Sequence, residues 1–135
     1  MNNKIRVIAA IVSLAVSWPA GAEVVVVVSA ANSESSMTKE EVSQFFLGKS
    51  AALTPIDQPE SAPVRAEFYK KVADKDMSQA KALWAKLVFT GKATMPREVT
   101  DSAAVKKAVV ANPRAIGYIE KSAVDPTVKV LFTVP

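Results

Sequence analysis

Downstream of residue 22 the apolar positions fall into eight clusters whose spacing assigns an element to each. Five consecutive valines, Val24 to Val28, open the series. An unbroken β-branched run, rather than alternation, predicts a strand covered on both faces, as in a parallel sheet packed between helices. Residues 30–36 are small and polar and read as a loop. Thr38-Lys39-Glu40-Glu41 is a capping box, after which Val42, Phe45 and Phe46 recur at helical spacing and Gly48 ends the helix. Leu53 to Asp57 is a short strand interrupted by proline. The chain turns at Pro59-Glu60-Ser61, and Ser61 is expected to cap a helix bearing Val64, Phe68 and Val72, with Pro63 in its first turn. Ser78 is expected to cap the next helix, which carries Leu83, Trp84, Leu87 and Val88. Residues 90–99 form a loop. Asp101 or Ser102 caps a last helix with the stripe Val105, Val109 and Val110, closed by Asn112-Pro113. Ile116 to Ile119 and Val128 to Val134 complete the series as strands. Strands interleaved with helices in this order predict an α/β three-layer sandwich with a mostly parallel sheet.

The first 22 residues follow a different logic. Lys4 and Arg6 precede a run from Val7 to Val16 that is apolar apart from Ser13, Trp18-Pro19 breaks it, and Ala20-Gly21-Ala22 supplies small residues at a cleavage site. This is the pattern of a secretory signal peptide, with cleavage expected after Ala22. The run is about half the roughly 20 residues that a spanning helix needs. Residues 23–135 are then a single domain, periplasmic or secreted.

Composition narrows the chemistry. The chain has no cysteine and no histidine. Disulfides, thiolate nucleophiles and imidazole-based catalysis or metal ligation are therefore excluded. No other nucleophile–base pair emerges from the motifs, so the sequence predicts a protein that is not an enzyme and that needs no cofactor. Removing Lys4 and Arg6 takes the net charge from +4 to +2. The remaining lysines are interspersed with acids, Lys70-Lys71 and Lys106-Lys107 reading as solvated helix faces. That distribution is not the clustered footprint of a nucleic-acid binder. Tyr69, Trp84 and Phe89 sit at core spacing on helices and are expected to be buried. Gly117, before Tyr118, marks a close backbone approach in the sheet.

Three stretches together resemble a known family. Thr38 to Lys49, ending Phe45-Phe46-Leu47-Gly48-Lys49, is similar to a helix ending in F-LGK in the periplasmic phosphate-binding proteins of ABC transporters. Asn112-Pro113-Arg114-Ala115-Ile116-Gly117-Tyr118 resembles their NPGAIGY segment, and Asp57 to Phe68 lies where they carry a phosphate-gripping loop and helix start, R-x-D-G-S-G-T. The resemblance covers most of residues 23–132 and implies one lobe of the two-lobed type II periplasmic binding protein fold. It implies a small oxyanion such as phosphate as ligand, with a membrane transporter or sensor component, or a second copy in a homodimer, as partner. With Arg65 and Phe68 as anchors, Gln58 falls at the family's arginine and Glu60 at its acidic position, while Ala62, Pro63 and Val64 replace Ser, Gly and Thr. Gln58 lacks the charge, Ala62 and Val64 lack hydroxyls, and Pro63 lacks an N–H. Ser61 offers one hydroxyl, Arg65 a positive charge, and Ser33, Ser35 and Ser36 further hydroxyls in the loop after the valine strand. The expected ligand residues are thus Ser33, Ser35, Ser36, Gln58, Glu60, Ser61 and Arg65. The alternative is a domain that kept the fold, lost the ligand and contacts a protein instead.

Overall fold

The five valines form a strand buried on both faces, but not a parallel one. In the computed structural model, which describes residues 23–135, Val24–Ser29 (β1) is wholly buried. It pairs antiparallel with Ala115–Glu120 (β4) on one side and with Val128–Thr133 (β5) on the other. Thr54–Asp57 (β2) runs parallel to β4, and the two-residue Arg97–Glu98 (β3) runs parallel to β2. The sheet order is β3-β2-β4-β1-β5, so β1 opposes the direction of the other four strands. An unbroken apolar run reports burial on two faces and carries no information on strand direction. The predicted signal peptide lies outside the described residues.

Helices cover both faces, completing the three expected layers. Val24, Val26 and Val28, with Ile116 and Tyr118, face a core shared with Lys39–Phe46 (α1), Pro63–Ala73 (α2) and the inner side of Met77–Phe89 (α3). Val25, Val27, Ile56 and Ile119 face Val105 and Val109 of Ser102–Ala111 (α4). On the first face the Phe68 ring stacks on Tyr118 at 4.2 Å, and Phe46 meets Phe68 edge-on at 4.7 Å.

Local signals explain most element ends. Thr38 Oγ1 accepts from the Glu41 N–H and starts α1, and Gly48 takes φ +73° beyond its C-terminus. Asp101 caps α4 by accepting from the Ala104 N–H. Gly117 lies directly under α4, where an added Cβ would stand 2.4 Å from Val105 Cγ1.

Four expectations change. Ala62, not Ser61, precedes α2 and makes no capping bond, because Pro63 already begins the helix. Asp76, not Ser78, caps α3, in a reciprocal capping box with Gln79. Phe89, placed in the core by spacing, is 92% exposed. Part of the 90–99 loop pairs as β3, whose Arg97-Glu98 pair is exposed and has no apolar pattern to announce it.

Candidate functional site

The parallel pair β2 and β4 ends at one edge of the sheet, and the helices that follow β2 and β3 start there. Gln58, immediately after β2, is 2% exposed and forms the floor of a groove of about 350 Å³. Ala62, Pro63 and Val64 at the start of α2 form one wall, Thr100, Asp101, Ser102 and Ala103 at the start of α4 the other, and Glu120 at the end of β4 the rim. Two helix N-termini therefore point at one spot, each with backbone N–H groups and the positive end of its dipole.

Beneath the groove lies a buried polar cluster centred on Asp57, which is 3% exposed. Asp57 Oδ2 accepts from Tyr69 Oη at 2.5 Å, while Oδ1 accepts from Tyr118 Oη and from the Gln58 N–H at 2.9 Å. Arg65 is 6% exposed. Its Nη1 donates to the Gln58 carbonyl at 2.8 Å and to Glu98 Oε2 at 3.3 Å, and its guanidinium lies 5.7 Å from the centre of the Tyr69 ring. Arg65 Nε stands 3.8 Å from Asp57 Oδ1 and is the only buried side-chain nitrogen or oxygen among the described residues without a hydrogen bond. Burial opposes the charge on Arg65, but Asp57, both phenols and Glu98 outweigh it and hold the guanidinium above its ordinary pKa. The two phenols are pushed well above their ordinary range, first by burial and then by the Asp57 carboxylate they are bonded to. Arg65 is thus committed to Asp57 and Glu98 rather than free to face the groove.

No family model and no curated protein sequence matches the chain. Its structure, however, matches solved phosphate-binding proteins. A phosphate ABC transporter substrate-binding protein from Clostridium perfringens with bound phosphate superposes with TM-score 0.65 at 18% identity, over 81% of this chain and 44% of that one. An ABC-type phosphate transport receptor from Vibrio cholerae gives 0.64 at 19% identity, over 81% and 45%, and PstS from Borrelia burgdorferi gives 0.59 at 14%, over 81% and 46%. The fold is that of one lobe of a phosphate-binding protein.

The chain spans less than half the length of each of these structures. Within this lobe the seven residues expected to bind ligand do not come together. Only Gln58 lines the groove. Arg65 lies below it, facing inward. Ser61 is exposed in the preceding turn, and exposed Glu60 pairs with Lys81 of α3 at 3.2 Å. The loop of Ser33, Ser35 and Ser36 leaves the opposite end of the sheet, where Asn32 donates to the Pro113 carbonyl ahead of β4, and rejoins the sheet along β5, where the Met37 N–H donates to the Leu131 carbonyl, whereas the groove lies past the end of β4. The six residues of β4 separate Asn32 from the groove by roughly 20 Å. The antiparallel direction of β1 is the cause.

Sequence reasoning missed the α4 side of the groove. The visible signal was the Asp101-Ser102 cap, because a cap marks a helix N-terminus and parallel strands bring such ends to one edge. In the lobe Ser102 Oγ accepts from Gln58 Nε2 and from the Glu120 N–H, both at 3.3 Å, which leaves its own hydrogen to donate. Gln58 Nε2 also donates to the Tyr118 carbonyl at 3.0 Å. That bond fixes the amide orientation, and no donor among the described residues reaches Gln58 Oε1. Where the family resemblance places an arginine, the lobe offers a hydrogen-bond acceptor with no partner among the described residues. No Lys or Arg lines the groove.

Proposed function

We propose that the chain is a solute-binding module of the phosphate-binding-protein type, acting outside the cytoplasm, and that the groove over Gln58 takes a small oxyanion in a protonated form. One observation carries this reading: two helix N-termini converge on a buried, orientation-fixed side chain, in a lobe fold shared with a structure that holds phosphate. Helix N-termini and the Ser102 and Thr100 hydroxyls supply donors to oxyanion oxygens. Gln58 Oε1, Asp101 and Glu120 supply acceptors, which require a ligand that brings hydrogens. Monobasic phosphate has them and sulfate at neutral pH does not. With no cation in the groove the charge-assisted bonds of about 1.5–3 kcal/mol each are absent, so affinity is modest. The partner that closes over the groove is, on this reading, a transporter component, a sensor or a second copy. The signal-peptide pattern of residues 1–22 supports a periplasmic site of action.

Thermal unfolding of the purified protein with phosphate or sulfate, at pH 6 and pH 8, tests this. Phosphate at about 100 times its dissociation constant stabilises by about 2.7 kcal/mol, a rise in midpoint of roughly 5 °C or more. The rise should be larger at pH 6, absent with sulfate and lost in Ser102→Ala. An equal response to both anions would sink the protonated-ligand reading, and no response to either would sink oxyanion binding itself. The inward-facing Arg65 and the N–H missing at Pro63 would then favour a second reading, a domain that kept the lobe fold for contact with a protein.

A further inference from the structure

α3 presents apolar side chains on more than its buried face. Ala80 and Trp84 face the core, with Trp84 Nε1 donating to the Phe46 carbonyl at 2.9 Å. On the outer side, Val88 is 43% and Phe89 92% exposed, and Met95 of the loop that follows is 52% exposed. They border a groove of about 450 Å³ whose recessed floor is the edge of Trp84. A second groove of about 380 Å³ continues from it, sharing Trp84 and Met95. Single exposed apolar residues are ordinary, but a run of them around a concavity marks an interaction surface.

The charges around this face identify its occupant. From Met77 to Pro96 the chain carries Lys81, Lys86 and Lys92 and no Asp or Glu. Lys81 is paired with Glu60, while Lys86 and Lys92 have no carboxylate partner among the described residues. A second copy bound across a two-fold axis would set these lysines against themselves, which like-charge repulsion disfavours. A flat lipid surface would meet Phe89 but could not fill a groove floored by Trp84. A chain segment with bulky side chains for the groove and carboxylates for the lysines satisfies both features.

We propose that the outer face of α3, with Phe89 as its anchor, is a docking surface for an acidic amphipathic segment of a partner protein. It is distinct from the groove over Gln58, so the surface stands whether or not an oxyanion binds there.

Selection of random displayed peptides against the purified protein tests the assignment. Enriched peptides should combine bulky apolar residues with Asp or Glu. Their affinity should fall about tenfold or more in Phe89→Ser, the loss typical of a central anchor. In the Lys86→Glu/Lys92→Glu double variant it should fall and lose most of its salt dependence. Both variants replace exposed residues, so their melting temperatures should match the parent and separate lost binding from lost folding. Failure to enrich acidic peptides, or binding indifferent to Phe89→Ser, overturns the proposal. It is equally overturned by co-sedimentation with phosphatidylglycerol vesicles, or self-association in sedimentation equilibrium, that Phe89→Ser abolishes. Either result would give the face to lipid or to a second copy.

Discussion

Asp57 and Arg65 face each other in the core, yet removing one should not equal removing the other. Asp57 accepts three hydrogen bonds, from Tyr69 Oη, Tyr118 Oη and the Gln58 N–H, and also balances the Arg65 charge. Asp57→Ala leaves two buried phenols without their acceptor and a buried guanidinium without its buried counter-ion, with half-exposed Glu98 as the anion that remains. Breaking a buried pair in this way costs about 3–5 kcal/mol, a large part of the roughly 5–15 kcal/mol that stabilises a domain. Arg65→Met removes the cation itself. Asp57 then keeps its three donors, and the main loss is the Gln58 carbonyl bond, about 1–3 kcal/mol for one orphaned acceptor. In the double variant the orphaned charge disappears, so its loss should be smaller than the sum of the two single losses. Urea unfolding followed by circular dichroism reads all three free energies. Arg65→Met as damaging as Asp57→Ala, or strict additivity in the double variant, would refute the view that Asp57 is the hub of the cluster.

The chain contains two tyrosines, and both belong to this cluster. Their phenols are held above the ordinary value in the folded state, so the unfolded state ionises first. The stabilisation is fully present below about pH 10 and falls above it by about 1.4 kcal/mol per pH unit for each phenol. Tyrosinate absorbance should therefore appear together with unfolding, and a phenol titrating near pH 10 in a chain still folded by circular dichroism would contradict the geometry. Gly117→Ala should cost about 1–3 kcal/mol by pushing α4 off β4, since its Cβ would lie 2.4 Å from Val105 Cγ1. The companion change Val105→Ala should recover part of that loss in the same urea assay, and no recovery would place the strain elsewhere.

Element order was legible because it rests on local signals: the capping residues of α1 and α4, Gly48, and the small residue at Gly117. What escaped was non-local. Strand direction is absent from a valine run, and the direction of β1 alone sends Ser33, Ser35 and Ser36 to the wrong edge for a shared site. Arg65 is expected at the ligand because its actual partners, Asp57 and Glu98, come from β2 and from a strand too short to predict. Phe89 follows Trp84 by five residues, about 140° around the helix, whereas Ala80 and Trp84 are four apart and make the true buried stripe.

The same facts decide how the groove can select a ligand. A lobe that grips an anion with an outward guanidinium gains affinity and loses discrimination among anions of equal charge, because Coulomb attraction does not distinguish a P–OH group from a bare oxygen at the same net charge. Here the guanidinium points inward, its charge answered by Asp57 and Glu98. The groove keeps helix N–H groups and hydroxyls as donors and Gln58 Oε1, Asp101 and Glu120 as acceptors. Acceptors facing a fully ionised oxyanion would oppose its lone pairs and leave both sides unsatisfied when buried. The same acceptors facing a P–OH group complete hydrogen bonds. On the proposed reading, turning the arginine inward exchanges affinity for sensitivity to the ligand's protonation, and makes pH a more informative variable than ionic strength for testing an oxyanion at Gln58.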